Sequence, residues 1–276
     1  MNESVIEVKG LKKYFPVTKG LLRRKVGEVK AVDGVSLSLK RGEILGVCGE
    51  SGCGKSTLAR CVIRLYRPTS GEIIFNGVDI SPLLEGKLKR IRAGMSMVFQ
   101  DSGNAFNPRQ KIQAIISEPL DIHCIGDKKY RTARARQLCR MVGLSSEILR
   151  RYPHELSGGQ RQRIGIARAI ASEPEVLICD EPLSALDVST QAQIVNLFLE
   201  LRQKITSLSC IFISHDLAVI RRICDRIAIM YQGTLVETAN TEELFRNPSH
   251  QYTKFLLSAL PDRESRQYRV RHKVYA

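Results

Sequence analysis

The chain has 276 residues, 43% of them hydrophobic and 26% charged, which is the composition of a folded globular protein with ample core. No apolar run approaches the roughly 18 residues a membrane span needs, and MNESVIEVKG has neither the basic nor the apolar region of a secretory signal, so a cytoplasmic address is expected. The net charge of +15 is concentrated in residues 12–30, 128–140 and 263–273, leaving the rest of the chain close to neutral.

In chain order, "VSLSLK" (35–40) alternates apolar and polar residues as a half-exposed antiparallel strand does. "EILGVC" (43–48), "VLIC" (176–179), "CIFIS" (210–214) and "IAIM" (227–230) are short β-branched runs that predict strands buried on both faces of a parallel sheet. "MSMVFQ" is also strand-like and ends at Gln100. Helices are expected after Lys55, over residues 112–151, through "GQRQRIGIARAIA" and across "TQAQIVNLFLELRQKI" (190–205), where Ile194, Leu197, Leu201 and Ile205 recur at helical spacing. Turns are expected near "LVE", "NPSHQ" and "LPD", before a short basic tail. Strands alternating with helices indicate an α/β protein.

The eight cysteines contain no C-x-x-C pair, which argues against a zinc or iron–sulfur framework. Cys48 and Cys179 fall within predicted strands, where a small apolar side chain is wanted, and most of the eight read as reduced core thiols. The basic clusters suit anionic lipid headgroups as well as plain solvent. No base-stacking or groove-reading motif accompanies them, so nucleic acid is disfavoured.

Residues 49–57, "GESGCGKST", match G-x-x-x-x-G-K-[ST] between a predicted strand and a predicted helix. In such a loop Gly49, Ser51, Gly52, Cys53 and Gly54 bring backbone N–H groups close to phosphate oxygens. Lys55 can reach the β- and γ-phosphates, and Ser56, followed by Thr57, offers a hydroxyl to Mg²⁺. In "VLICDE", Asp180 can hold Mg²⁺ through its waters, and Glu181 is placed to polarise an attacking water as general base. His215 emerges just beyond a core strand, where sheet ligands gather, and can meet the γ-phosphate. Gln100 can meet Mg²⁺ or the water with its side-chain carbonyl. A second glycine pair, in "LSGGQ" (156–160), opens a helix and so offers another anion site.

GESGCGKST, Gln100, LSGGQ, VLICDE, "SALD" (184–187) and His215, in that order, resemble the ATP-binding subunit of an ABC transporter, and the resemblance spans nearly all of residues 5–261. It implies an α/β fold: a P-loop NTPase (RecA-like) core with an N-terminal antiparallel β-subdomain and an α-helical subdomain inserted at about 101–160, forming one domain over residues 1–261 with a basic tail at 262–276. It also implies ATP and Mg²⁺ as cofactors and a head-to-tail dimer. In such a dimer Ser157, Gly158, Gly159 and Gln160 complete the partner's nucleotide site, and Asp187 passes beside it. Phe15 in "LKKYFP" best matches the aromatic residue that stacks on adenine, with Tyr14 as the alternative.

"VFQDSGNAFNPRQKI", "RYPHELSGGQRQRIGIARA", "NPSHQYTKFLLSALP" and the long basic loop between Phe15 and Ala31 are similar to the peptide and nickel importer branch of that family. This implies pairing with a paralogous ATPase, two membrane permease subunits and an external solute-binding protein, at the cytoplasmic face of the membrane. Di- or oligopeptides are the expected solutes, and nickel chelates are the alternative. A rival from another class is a soluble ABC ATPase acting on nucleic acid or ribosomes. Two features depart from the branch: the tail after Pro261 is short and cysteine-free, and Cys179 stands where a leucine is usual before Asp180.

Overall fold

The computed structural model describes residues 4–19, 24–100, 105–184 and 186–259. The fold combines an antiparallel β-subdomain, a mixed α/β core and a set of helices inserted into it. The chain divides into two compact units, residues 1–82 with 211–276, and residues 83–210.

The first unit begins with β1 (Ser4–Lys19) and β2 (Arg24–Lys40), which pair antiparallel along most of their length. Then come β3 (Ile44–Cys48), α1 (Lys55–Val62), β4 (Ser70–Phe75) and β5 (Val78–Asp79). Strands β2-β1-β4-β5 form one antiparallel sheet, whose buried face carries Ile6, Val8, Leu11, Val35, Leu39 and Ile73. The described residues of the expected basic loop between Phe15 and Ala31 are instead paired strand: Phe15 lies opposite Val29, Pro16 opposite Glu28 and Val17 opposite Gly27. Val17, Val26 and Val29 are exposed, so no buried face imposed the alternation by which a strand is recognised.

The second unit contains α2 (Glu85–Ile91), β6 (Met95–Val98), α3 (Ile112–Ile122), α4 (Lys128–Met141), α5 (Gly158–Ala169), β7 (Val176–Asp180) and α6 (Val188–Lys204). Strands β6 and β7 are parallel, and α3 packs on both α4 and α5. Ile112, Ile116, Leu120, Leu138, Ile164 and Ile166 are fully buried there. The basic run of α4 is not one solvated face. Arg134 is buried, pairs with Glu173 at 3.0 Å and donates to the carbonyls of Ile170 and Ala171, whereas Lys129, Arg136 and Arg140 are exposed.

β8 (Ser209–Ile213) returns the chain to the first unit, which adds α7 (Leu217–Ile223), β9 (Arg226–Tyr231), β10 (Thr234–Asn240), α8 (Thr241–Arg246) and α9 (Gln251–Ser258). Here β9 runs parallel to β3, and β10 is antiparallel to β9. All five residues of β3 and of β8 are buried, in agreement with their uninterrupted apolar runs. "LVE", expected as a turn, lies inside β10, and the strand-like run at 95–100 ends at Val98, two residues before Gln100. "LPD" and the basic tail lie outside the described residues. Among the described residues no helix is long and apolar enough to cross a membrane. All eight cysteines are free, and only Cys124 is exposed.

Candidate functional site: the nucleotide cradle and the signature helix

The first unit carries the phosphate loop. Gly54 has φ 108°, and a β-carbon there would lie 2.0 Å from the carbonyl oxygen of Ala31, so glycine is required on both counts. A β-carbon on Gly49 would lie 2.1 Å from the carbonyl oxygen of Met230. The loop is thus pressed against two neighbouring strands, and the Gly233 N–H, in the β9–β10 turn, donates to the carbonyl of Cys53 at 2.9 Å. α1 starts on Gly54 with no side-chain cap, so the positive end of the helix is left to a ligand. Lys55 is buried, and its Nζ donates to the carbonyls of Gly49 at 2.7 Å and Glu50 at 2.8 Å, closing the loop. These features fit a polyphosphate: close-approach glycines, an uncapped helix start and a buried cation. Ser51 and Gly52 are exposed on the loop, while Ser56 and Thr57 lie in the first turn of α1, both half-buried.

Cys53 is a poor nucleophile. Burial pushes its thiol up, and the opposing charge of Lys55 does not offset this. Cys48, at the end of β3, is pushed up by burial to about 12.

The two candidate adenine aromatics separate clearly. Tyr14 donates its hydroxyl to Asp33 at 2.5 Å, and that bond raises the phenol and lowers the carboxyl from their ordinary values. Phe15 is half-buried, edge-on to Tyr66 with ring centres 5.7 Å apart, and Lys13 Nζ lies 4.9 Å from its ring centre. Tyr66 had no distinguishing signal in the sequence. His215 is exposed between β8 and α7 in the same unit. The segment is fixed on either side: the Ser214 N–H donates to Val47 at 3.3 Å, and the Asp216 carboxylate caps α7 through Ala218 and Val219.

The second unit holds the remaining residues. Gln100 is exposed beyond β6. Asp180 ends β7 and is fully buried, the position of a carboxylate held by ordered partners. Glu181 follows at φ 46°, in the left-handed region that a non-glycine residue rarely adopts, and directly ahead of Pro182. Its carbonyl accepts from the Ser184 hydroxyl at 3.1 Å, so the chain turns sharply at the carboxylate. Such strain is characteristic of functional positions. The Sγ of Cys179 lies 4.0 Å from that of Cys210, the two thiols filling a buried inter-strand space.

The signature glycines open α5. Ser157 Oγ accepts from the Gln160 N–H at 3.3 Å, and Gln160 Oε1 accepts from the Ser157 N–H at 3.1 Å, a reciprocal capping box. This uses the serine oxygen as acceptor, and its proton stays available as a donor. A second capped helix start lies against the first. Asp187 caps α6, accepting from the Thr190 N–H and hydroxyl at 2.9 and 2.8 Å and from the Ser189 hydroxyl at 2.8 Å. These bonds, the backbone one foremost, hold its carboxyl down to about 2. A β-carbon on Gly158 would meet Leu186, and one on Gly159 would meet Thr190.

A close-fitting glycine loop closed by a buried lysine, between a buried parallel strand and an uncapped helix start, defines a P-loop nucleotide-binding protein. A model described as ABC transporter matches residues 32–184, and the chain belongs to that family. A model described as the C-terminal region of oligopeptide/dipeptide transporters matches residues 236–274. The oligopeptide transport ATP-binding protein AppF of Bacillus subtilis is 53% identical over 94% of this chain and 79% of its own length. OppF of the same organism, also an oligopeptide transport ATP-binding protein, is 51% identical over 99% of this chain and 88% of its own. The solved ATP-binding cassette MJ0796, a dimer bound to ADP and Pi, superposes with a TM-score of 0.75 at 28% identity, over 86% of this chain and 98% of its own. The present chain is an ABC ATPase that hydrolyses ATP to drive transport.

Proposed function

We propose that this chain is the ATPase subunit of an importer of di- or oligopeptides. The observation that carries the solute class is the match over residues 236–274 to the C-terminal region of oligopeptide/dipeptide transporters, because a cassette core by itself says nothing of cargo. The names of the relatives that are 53% and 51% identical agree with it. The chain works beside a second cassette, a paralogue, beneath two permease subunits that receive solute from an external binding protein, and it is held at the cytoplasmic face through those permeases. The dimeric state of the solved cassette supports the pairing.

In this reading the phosphate loop and Lys55 bind the phosphates, and Phe15 stacks on the adenine. Mg²⁺ suits the hard oxygen donors of Ser56, Gln100 and, through water, Asp180. Glu181 polarises the attacking water, and His215 contacts the γ-phosphate. Ser157, Gly158, Gly159 and Gln160 serve the partner's nucleotide: the serine proton and the N–H groups opening α5 face the anion, with Asp187 and Thr190 supporting them from the side. Deletion of the coding sequence should abolish uptake of a labelled tetrapeptide and leave nickel uptake unchanged. The parent chain should restore peptide uptake and Glu181→Gln should not. Unimpaired peptide uptake in the deletion strain would overturn the assignment.

A further inference from the structure

The C-terminal element α9 reaches back to the phosphate loop. Its entry is fixed by Glu237 of β10, whose carboxylate accepts from the Ser249 N–H at 2.7 Å and the His250 N–H at 3.0 Å. Burial pushes that carboxyl up, but the N–H bonds from Ser249 and His250 help to hold it below the usual range. His250 Nδ1 then accepts from the Tyr252 N–H at 3.2 Å, capping α9. The Tyr252 ring packs on Tyr231, the last residue of β9, with centres 4.3 Å apart. Its hydroxyl oxygen accepts from the Glu50 N–H at 3.1 Å. The carbonyl of that same residue accepts from Lys55 Nζ at 2.8 Å and from the Cys53 N–H at 3.3 Å, so both backbone polar groups of Glu50 are engaged.

We infer that Tyr252 is a positioning residue for nucleotide binding: its hydroxyl fixes the Gly49–Glu50 peptide and thereby sets the orientation of the phosphate loop. It does not touch the nucleotide. The peptide needs such a hold because Gly49 has no side chain to restrain rotation at its own α-carbon. A turned peptide would withdraw the Gly49 carbonyl, to which Lys55 is bonded at 2.7 Å. The brace acts on phosphate recognition and not on the base. It also makes the segment Ser249–Tyr252 part of the nucleotide site, although the chain places it about 200 residues after the loop it supports.

The test is Tyr252→Phe in the full chain, which keeps the ring on Tyr231 and removes only the acceptor. Losing one hydrogen bond of ordinary strength predicts a Kd for ATP and for ADP raised about three- to tenfold. The Kd for adenosine, which has no phosphates, should stay within about twofold, and amide exchange at Glu50 should accelerate by a similar factor. Tyr252→Ala should weaken ATP at least as much and also lower Tm, separating loss of the ring from loss of the hydroxyl. Unchanged ATP affinity in Tyr252→Phe, equal weakening of ATP and adenosine, or an unchanged Glu50 exchange rate would each overturn the assignment.

Discussion

The methyl group of Thr190 lies 2.7 Å from where a β-carbon on Gly159 would sit, while the hydroxyl of the same threonine is held by Asp187 at 2.8 Å. The two helix starts of the second unit are therefore a fitted pair, and the glycine is a matter of space at that contact. Gly159→Ala should destabilise the pair by about 1–3 kcal/mol. ATPase activity of the assembled transporter should fall, with ATP binding by the isolated chain within about twofold of the parent. Thr190→Ser removes the obstructing methyl and keeps the bond to Asp187, so it should recover most of the loss. A double-mutant cycle on Tm and ATPase rate measures the coupling; additive effects would refute the contact.

Asp187 has its carboxyl at about 2, below the ordinary carboxylate range, because Thr190 and Ser189 donate to its charged form. A depressed folded value means that the cap contributes its stability above the unfolded value, near 4, and loses it as pH falls through about 2. Carboxyl-carbon NMR should show Asp187 still ionised at pH 3 while exposed carboxylates of ordinary affinity are half titrated or more. Asp187→Asn should remove that low-pH transition.

Glu181 sits at φ 46° between the end of β7 and Pro182, and an isosteric substitution does not alter its backbone preference. Glu181→Gln should retain ATP affinity within about twofold and reduce steady-state phosphate release about 10²- to 10⁴-fold, the usual contribution of a general base. Full turnover in this variant would remove Glu181 from that role.

Tyr14 and Phe15 are chain neighbours with different contacts. Tyr14→Phe should leave nucleotide affinity unchanged and lower Tm, since only the bond to Asp33 is lost. Phe15→Ala should weaken ATP, ADP and adenosine about equally, a few- to tenfold for one lost stacking partner. Equilibrium binding of the three ligands distinguishes the base contact from the phosphate contacts.

The buried strands were legible because burial on both faces enforces a continuous run of Ile, Val and Leu, as in "EILGVC" and "CIFIS". The phosphate loop, the signature and the Asp-Glu pair were legible because the chemistry leaves few residue choices at those positions. Elements with neither constraint were misread. The paired strand segments 16–18 and 26–30 expose both faces, and "LVE" is a strand whose residues are only half-buried. Tyr66, Thr190 and Tyr252 act through tertiary contact with sites far away in the chain or on another element, and no local pattern marks them. The φ of Glu181 is likewise a tertiary outcome, since its proline disfavours the helical region without specifying the left-handed one.

The distribution of thiols gives the protein a ready chemical handle. Seven of its eight cysteines are buried, and Cys124, just past the end of α3, is exposed. A maleimide fluorophore or spin label added to the unmodified protein should attach at Cys124 in the second unit and leave the loop residue Cys53 untouched. Motion of that unit through a catalytic cycle can then be followed spectroscopically in the natural sequence, without first replacing cysteines in the core.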